Sequence, residues 1–238
     1  MSVRRRIALP DEIRGFCIVC MVFYHAFYLF GTRLNLPFFL WLFHFFEPVQ
    51  LLFASAFILI SGLCTRLSRS VLRRGLMLLG VAVLISAATV FLLPRIGFDG
   101  FQDRFGILHL LSASMLLTAA LKKPLERIPP KIGSAVCIVL YAASRLLTEK
   151  IRVETPLLFP LGFISDSFYS ADYFPLLPHV FCFFLGSFIG KSVLRDELPE
   201  SAYRVHARPF AFFGRHSLAV YLLHVPVLLI CIFLIERI

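Results

Sequence analysis

Apolar residues run along this chain in stretches about twenty residues long, separated by short segments that carry nearly all of the charge. A helix of that length crosses the roughly 30 Å of hydrocarbon in a bilayer. The runs are continuous rather than alternating, which excludes a membrane barrel. Hydrocarbon offers no partner to a backbone amide, so each run is predicted as a helix. The pattern places helices at about Glu12–Phe30, Pro37–Thr65, Gly75–Leu93, Phe105–Leu121, Ile132–Thr148, Tyr173–Ile189 and Phe212–Ile235. The second is too long for one straight span. Glu47-Pro48 is expected to break it, since proline disfavours helix in the residue before it, leaving an interfacial Phe-rich piece and a span from about Val49. No internal repeat or low-complexity segment divides the chain, so one domain over 1–238 is expected. The fold class is all-α: a polytopic membrane protein with about seven spans.

Composition agrees. The chain is 59% hydrophobic and 16% charged, with a mean hydropathy of +0.84, against about 45–50% and about 25% in soluble domains. A net charge of +10 would suggest nucleic acid in a soluble protein. Here the basic residues sit between apolar runs, as the positive-inside rule requires, so no nucleic-acid partner is expected. With the N-terminus inside, 17 of the 24 Lys and Arg fall on the cytoplasmic side, among them Arg4, Arg5, Arg6, Lys122, Lys123 and Arg195. The C-terminus then lies outside, in a multi-pass protein of the cell (inner) membrane whose first partner is the lipid bilayer. The opening Met1-Ser2-Val3-Arg4-Arg5-Arg6 resembles a signal-peptide n-region. No small-residue cleavage site follows it, and the first run is read as a retained helix. The six cysteines all lie in apolar stretches and are read as packing residues, the Cys17/Cys20 pair included.

Ionisable side chains inside a span are costly and are functional candidates by default. In this topology His25, His44, His109, His179 and His224 all fall in the outer half of the membrane or at its outer face, from five different helices. No HxH or HxxxH spacing accompanies them and no metal is expected. Arg14 and His25 are eleven residues apart. Eleven steps of 100° return to within about 20° of the start, so both lie on one stripe of the first helix, separated by about 16 Å. That stripe offers an anion anchor at the cytoplasmic end and a titratable base deep in the outer half. It suits a long ligand with phosphates at one end and a reactive group at the other.

Asp11-Glu12-Ile13-Arg14-Gly15-Phe16 followed by His25 resembles the opening of membrane-bound acyltransferases, whose first helix carries an Arg-x10-His motif. Three further segments are similar to signatures of one branch. They are Arg104-Phe105-Gly106-Ile107-Leu108-His109-Leu110-Leu111; Asp172-Tyr173-Phe174-Pro175-Leu176-Leu177-Pro178 with Gly186 and Gly190-Lys191; and Gly214-Arg215-His216-Ser217-Leu218 with Tyr221-Leu222-Leu223-His224. In this order they resemble the heparan-alpha-glucosaminide N-acetyltransferase catalytic domain family, in a short bacterial form, from Asp11 to His224.

The resemblance implies transfer of an acyl group, usually acetyl, from cytoplasmic acetyl-CoA or another acyl-CoA to an amine or hydroxyl on the far side of the membrane. The acceptor is a small molecule or a glycan. It places Arg14, Gly15, Arg66, Arg73, Arg215, His216 and Ser217 at the donor, with Gly15 and Gly62 allowing close approach of ligand or neighbouring helices. His25, His109, His224 and Asp172 become the catalytic candidates, and Arg104, Tyr173, His44 and His179 the acceptor side. Direct attack on the thioester and a route through an acyl-histidine are both open, as is oligomerisation. The alternative from another class is a small transporter or proton relay that uses the intramembrane histidines. Transporters usually show repeated halves.

Overall fold

The computed structural model describes residues 6–96, 100–153, 155–194, 198–235 and 237. Arg4, Arg5 and Arg195, counted above for orientation, lie outside the described residues. Among the described residues nine α-helices run in order: α1 (Leu9–Arg33), α2 (Pro37–Cys64), α3 (Val71–Ala87), α4 (Ile107–Ala120), α5 (Lys122–Arg127), α6 (Pro130–Lys150), α7 (Leu176–Val193), α8 (Arg208–Arg215) and α9 (Ser217–Ile235). A π-turn at Ala88–Leu92 continues α3. No strand occurs among the described residues, only one isolated bridge between Phe105 and Tyr173. Among the described residues six helices are long and apolar enough to cross a membrane, and α4 is a shorter apolar helix. Their outward faces carry Leu52, Leu84, Phe91 and Val139, each more than 60% exposed, as lipid-facing positions should be. This is a polytopic membrane protein.

Three boundaries differ from expectation. The break at Glu47-Pro48 does not occur, and α2 runs through Pro48 without interruption. A proline removes one rung of the ladder. Breaking the helix inside hydrocarbon would strand a whole turn of backbone groups, which is worse. The last predicted helix, from Phe212, begins instead at Arg208 and is interrupted at His216 (φ −107°, ψ 21°), giving the short α8 and the span α9. Arg208-Pro209 is a helix-start signal, since proline is favoured in the first turn. Tyr173, expected to open the sixth span, is in the extended segment ahead of α7.

The chain forms two compact units, 1–60 with 197–238 and 61–196. In the first, α1 packs along α8 and α9. Glycine makes the α1–α8 crossing possible. A Cβ on Gly15 would stand 1.8 Å from the Phe210 carbonyl oxygen, and one on Gly214 1.7 Å from that of Asp11. Phe16 fills the flank, edge-on to Phe210 at 5.4 Å and to Phe53 at 5.7 Å. Glu12 fastens the start of α8, its Oε1 accepting from the backbone N–H of His206 (2.6 Å) and Ala207 (3.0 Å).

In the second unit α3 packs on α4, and α7 lies against α6 and α4. Lys191 on α7 donates through Nζ to the carbonyls of Glu126 (2.7 Å), Ile128 (2.8 Å) and Leu125 (3.4 Å). A cation thereby closes the C-terminal end of α5, where the helix dipole favours positive charge. Its side chain is 9% exposed. Lys191→Met is expected to lower the thermal unfolding midpoint in detergent, since hydrogen bonds to a charged group contribute about 1.5–3 kcal/mol. A midpoint equal to wild type would show that the three carbonyls are equally well served by water.

Candidate functional site

In the first unit the predicted stripe on α1 has partners at both ends. Near its start Asp11 Oδ2 accepts from Arg6 Nε (2.9 Å) and Arg6 Nη2 (2.6 Å), with Arg215 Nε at 3.9 Å. Asp11 is buried while both arginines remain largely exposed, so their free faces point to solvent. Arg14, half-buried, lies one turn further along. Arg6 and Arg215 thus flank one buried carboxylate, and Arg14 follows three residues further along α1. Gly15 is occupied by the helix crossing. His216 is exposed, its Nδ1–H donating to the Phe212 carbonyl (2.9 Å), and half-buried Ser217 opens α9.

Fourteen residues beyond Asp11, about 21 Å along the helix, the His25 ring meets that of His224 on α9. Their centroids are 5.0 Å apart and their planes cross at 75°. His25 Nδ1 is 2.9 Å from the Met21 carbonyl oxygen, and His224 Nδ1 is 2.6 Å from that of Tyr221. A carbonyl can only accept, so both Nδ1 atoms donate, and in the neutral form of either ring the lone pair is on Nε2. His224 Nε2 is buried and has no hydrogen-bond partner. Both rings are therefore held in the same orientation by their own helices. The other first-unit histidine of the expected layer, His44, points outward, 69% exposed, with Nδ1 3.4 Å from Glu47 Oε2.

The second unit gathers a different set. The segments 100–107 and 169–174 are laced together. Ala171 N–H donates to the Gln102 carbonyl (2.8 Å), Phe174 N–H to that of Phe105 (3.0 Å), and Arg104 N–H to Ser170 Oγ (3.1 Å). Tyr169 Oη–H donates to the Gly100 carbonyl (2.7 Å). Two of the segments recognised in the sequence thus form one clamp over the start of α4. Arg104 and Tyr173 belong to it. The Arg104 side chain is exposed. The Tyr173 hydroxyl donates to the Phe159 carbonyl (2.7 Å), and burial pushes its pKa up to about 12, so it stays a donor.

Within the clamp Asp172 Oδ2 accepts from Ile107 N–H (3.2 Å), at the first turn of α4. Asp103, which the sequence reading did not single out, is buried beside it. A Cβ on Gly106 would meet Asp172 Oδ2 at 2.5 Å and both Asp103 carboxylate oxygens at 2.8 Å. Burial first, and then the like charge of Asp172, push the Asp103 carboxyl well above the ordinary carboxylate range. His109 stacks on Phe105 at 5.2 Å, with Nε2 3.4 Å from Ser86 Oγ. His179 lies further along α7, buried, its ring 5.5 Å from Phe174 and 6.3 Å from Tyr141.

Two donor-side candidates of this unit differ in availability. Arg66 donates through Nε to the Ser187 carbonyl (3.2 Å) and pairs through Nη1 with Glu126. Arg73 is exposed on the first turn of α3. Among the described residues no three His, Cys, Asp or Glu converge as a metal ion would require.

A family model described as "Heparan-alpha-glucosaminide N-acetyltransferase, catalytic" matches residues 6–226. No curated protein and no solved structure matches the chain.

Proposed function

The chain belongs to the heparan-alpha-glucosaminide N-acetyltransferase catalytic family, and from that premise we propose that it moves an acetyl group from acetyl-CoA to an amine or hydroxyl acceptor across the membrane it spans. The donor's phosphates lie against Arg14 and Arg215 at the N-terminal end of α1, on the cytoplasmic side of the cell membrane. Its pantetheine arm follows the α1 stripe, and the thioester reaches the His25–His224 pair in the outer half. His25 Nε2 takes the proton of the acceptor as the acceptor attacks the thioester carbonyl, and the coenzyme A thiolate leaves towards the inner end. His224 flanks the same point with its own bare Nε2.

One observation carries this reading. Both Nδ1–H groups are committed to main-chain carbonyls, so the two basic atoms are fixed before any ligand arrives, which is the orientation a general base needs. Arg14, about 16 Å away along α1, is too far to serve the same group and, with Arg215 beside the start of α1, suits the opposite, anionic end of a long donor.

The direct test is acetyl transfer from labelled acetyl-CoA by the purified protein in proteoliposomes, with amino sugars and polyols supplied on the far side. Transfer confined to one face supports the proposal. Absence of both transfer and acetyl-CoA binding across such a panel would sink it. Arg14→Ala and Arg215→Ala are each expected to weaken acetyl-CoA binding about tenfold, with affinity falling as salt rises, because phosphate anchoring is largely electrostatic. Unchanged affinity in both variants would put the donor elsewhere.

A further inference from the structure

At one end of the second unit positive charge gathers without a counter-charge. α3 and α4 pack antiparallel. Near the start of α3 a Cβ on Gly75 would stand 3.1 Å from Leu116 Cδ2 and 3.2 Å from Met115 Cβ. Near its far end Ser86 Oγ is 3.4 Å from His109 Nε2. That register carries the residues ahead of Gly75 and those after Leu116 to the same end of the pair. Arg69, Arg73 and Arg74 come to it from one helix and Lys122 and Lys123 from the other, and all five are exposed. Helix axes packed in this way lie about 8–10 Å apart, so the five cations share one small area. Between Arg66 and Val90, and between Leu116 and Ile132, the only carboxylate is Glu126, and Arg66 and Lys191 engage it. Among the described residues none of the five side chains forms an ion pair or a hydrogen bond.

The two lysines have a local reason for their position, since the C-terminal end of a helix favours positive charge. The arginines have none. Arg73 and Arg74 fall in the first turn of α3, where the helix dipole is itself positive and a cation is unfavourable. Ser70 caps that turn, its Oγ accepting from Arg73 N–H (3.3 Å). The positive-inside bias explains which side of the membrane the arginines occupy, but not why they crowd a helix start. An anion lying across the two helix ends makes the placement favourable. Beside the cations the surface is apolar: Leu72 and Leu76, one turn apart on α3, are 53% and 55% exposed, and Leu121 at the end of α4 is 42% exposed. A ligand that fits both features has an anionic head and an apolar body. Clusters of about four to eight Lys and Arg beside a span are the pattern that holds anionic lipid headgroups.

We propose that the paired ends of α3 and α4 bind the phosphate of an anionic phospholipid, with Arg69, Arg73, Arg74, Lys122 and Lys123 around the headgroup and the acyl chains along Leu72 and Leu76. Arginine meets phosphate through its planar fork, and lysine adds a point charge. Arg73, which the family resemblance places at the donor, thereby has a different partner. The site lies wholly within the second unit and does not depend on the transferase reading.

Native mass spectrometry of the full chain released from detergent micelles tests it, with phosphatidylglycerol and phosphatidylcholine of the same acyl chains as probes. Wild type is expected to retain phosphatidylglycerol at least about tenfold more tightly. The preference should be lost in Arg69→Gln/Arg73→Gln/Arg74→Gln. It should survive in Lys150→Gln/Arg152→Gln, which removes two exposed cations from the other end of α6. Equal retention of the two lipids by wild type, or an unchanged preference in the triple variant, would overturn the site. Should the triple variant fail to accumulate, a salt series on wild type decides. A preference that falls as salt rises upholds the site, and one indifferent to salt refutes it. Inorganic phosphate and acetyl-CoA, each added at the concentration of the lipid, should leave the phosphatidylglycerol bound. Displacement by phosphate would make the ligand a free anion, and displacement by acetyl-CoA would return the arginines to the donor; either result overturns the lipid assignment. A protein that passes these tests yet transfers no acetyl group would refute the transferase reading alone.

Discussion

Replacing His25 with alanine is expected to abolish acetyl transfer while leaving acetyl-CoA affinity within about twofold of wild type. Loss of a general base typically removes about 10²–10⁴ in rate. In the proposed arrangement the donor's phosphates sit some 16 Å down the same helix and keep their arginines. His25→Gln should be equally inactive, because glutamine can hold a hydrogen bond to Met21 but cannot take a proton at neutral pH. The informative comparison is His224→Ala. His224 presents the same free nitrogen 5.0 Å away, ring to ring, so its loss should lower the rate less if His25 is the base. The reverse ranking would exchange the two roles. Full activity in His25→Ala with none in His109→Ala would move the chemistry to α4. Turnover and equilibrium binding, measured on one preparation of each variant, separate these cases.

Gly15→Ala is expected to cost the protein its fold. A single added methyl would stand 1.8 Å from a main-chain oxygen of α8, and no rotamer change relieves a clash with backbone. Overpacking a tolerant core costs about 1–3 kcal/mol. Here α1 and α8 would have to separate, opening the Gly214 crossing and straining the Glu12 bonds to the start of α8. The monodisperse fraction after detergent extraction should collapse. Gly80→Ala is the control, since nothing lies within 4 Å of its Cβ position and the added methyl should raise helix stability by about 0.5–1 kcal/mol. If Gly15→Ala folds normally but no longer binds acetyl-CoA, the glycine makes room for ligand rather than for a helix.

The spans were legible because hydrocarbon imposes one requirement on every turn, so composition and length suffice. Pro48 misled for the same reason. The rule that proline ends a helix is calibrated in water, where a freed carbonyl finds a partner, and α2 runs through it. His25 and His224 were both marked as intramembrane histidines, His25 also by its distance from Arg14, and the family resemblance implied their catalytic roles. Their ring-to-ring pairing was invisible, since nothing in the spacing of Tyr221 and His224 says which face of α9 meets α1. Asp103 was passed over because an aspartate in a polar loop ahead of a helix is ordinary. Its burial arises only when the segment carrying Asp172 folds onto it from nearly seventy residues away. A usable signal was present: glycine at position 106 directly ahead of an apolar run, where a serine or aspartate cap is the usual choice. A vacant cap position implies that the cap comes from elsewhere in the chain, and Asp172 supplies it.

The length of α4 has a consequence for the membrane itself. Its fourteen residues rise about 21 Å, some 9 Å less than a bilayer's hydrocarbon thickness. Lys122 and Lys123 follow directly on its C-terminal end, and charged side chains there hold that end at one interface. The other end, with the clamp and its carboxyl groups, must then lie below the level of the opposite headgroups. Lipid beside a short helix thins and dips to meet it. The leaflet is therefore expected to be drawn inward around the clamp, with water following it down into a shallow basin. Bilayers of shorter acyl chains should deepen their access to this end of the protein, and thicker, sterol-rich bilayers should close it off.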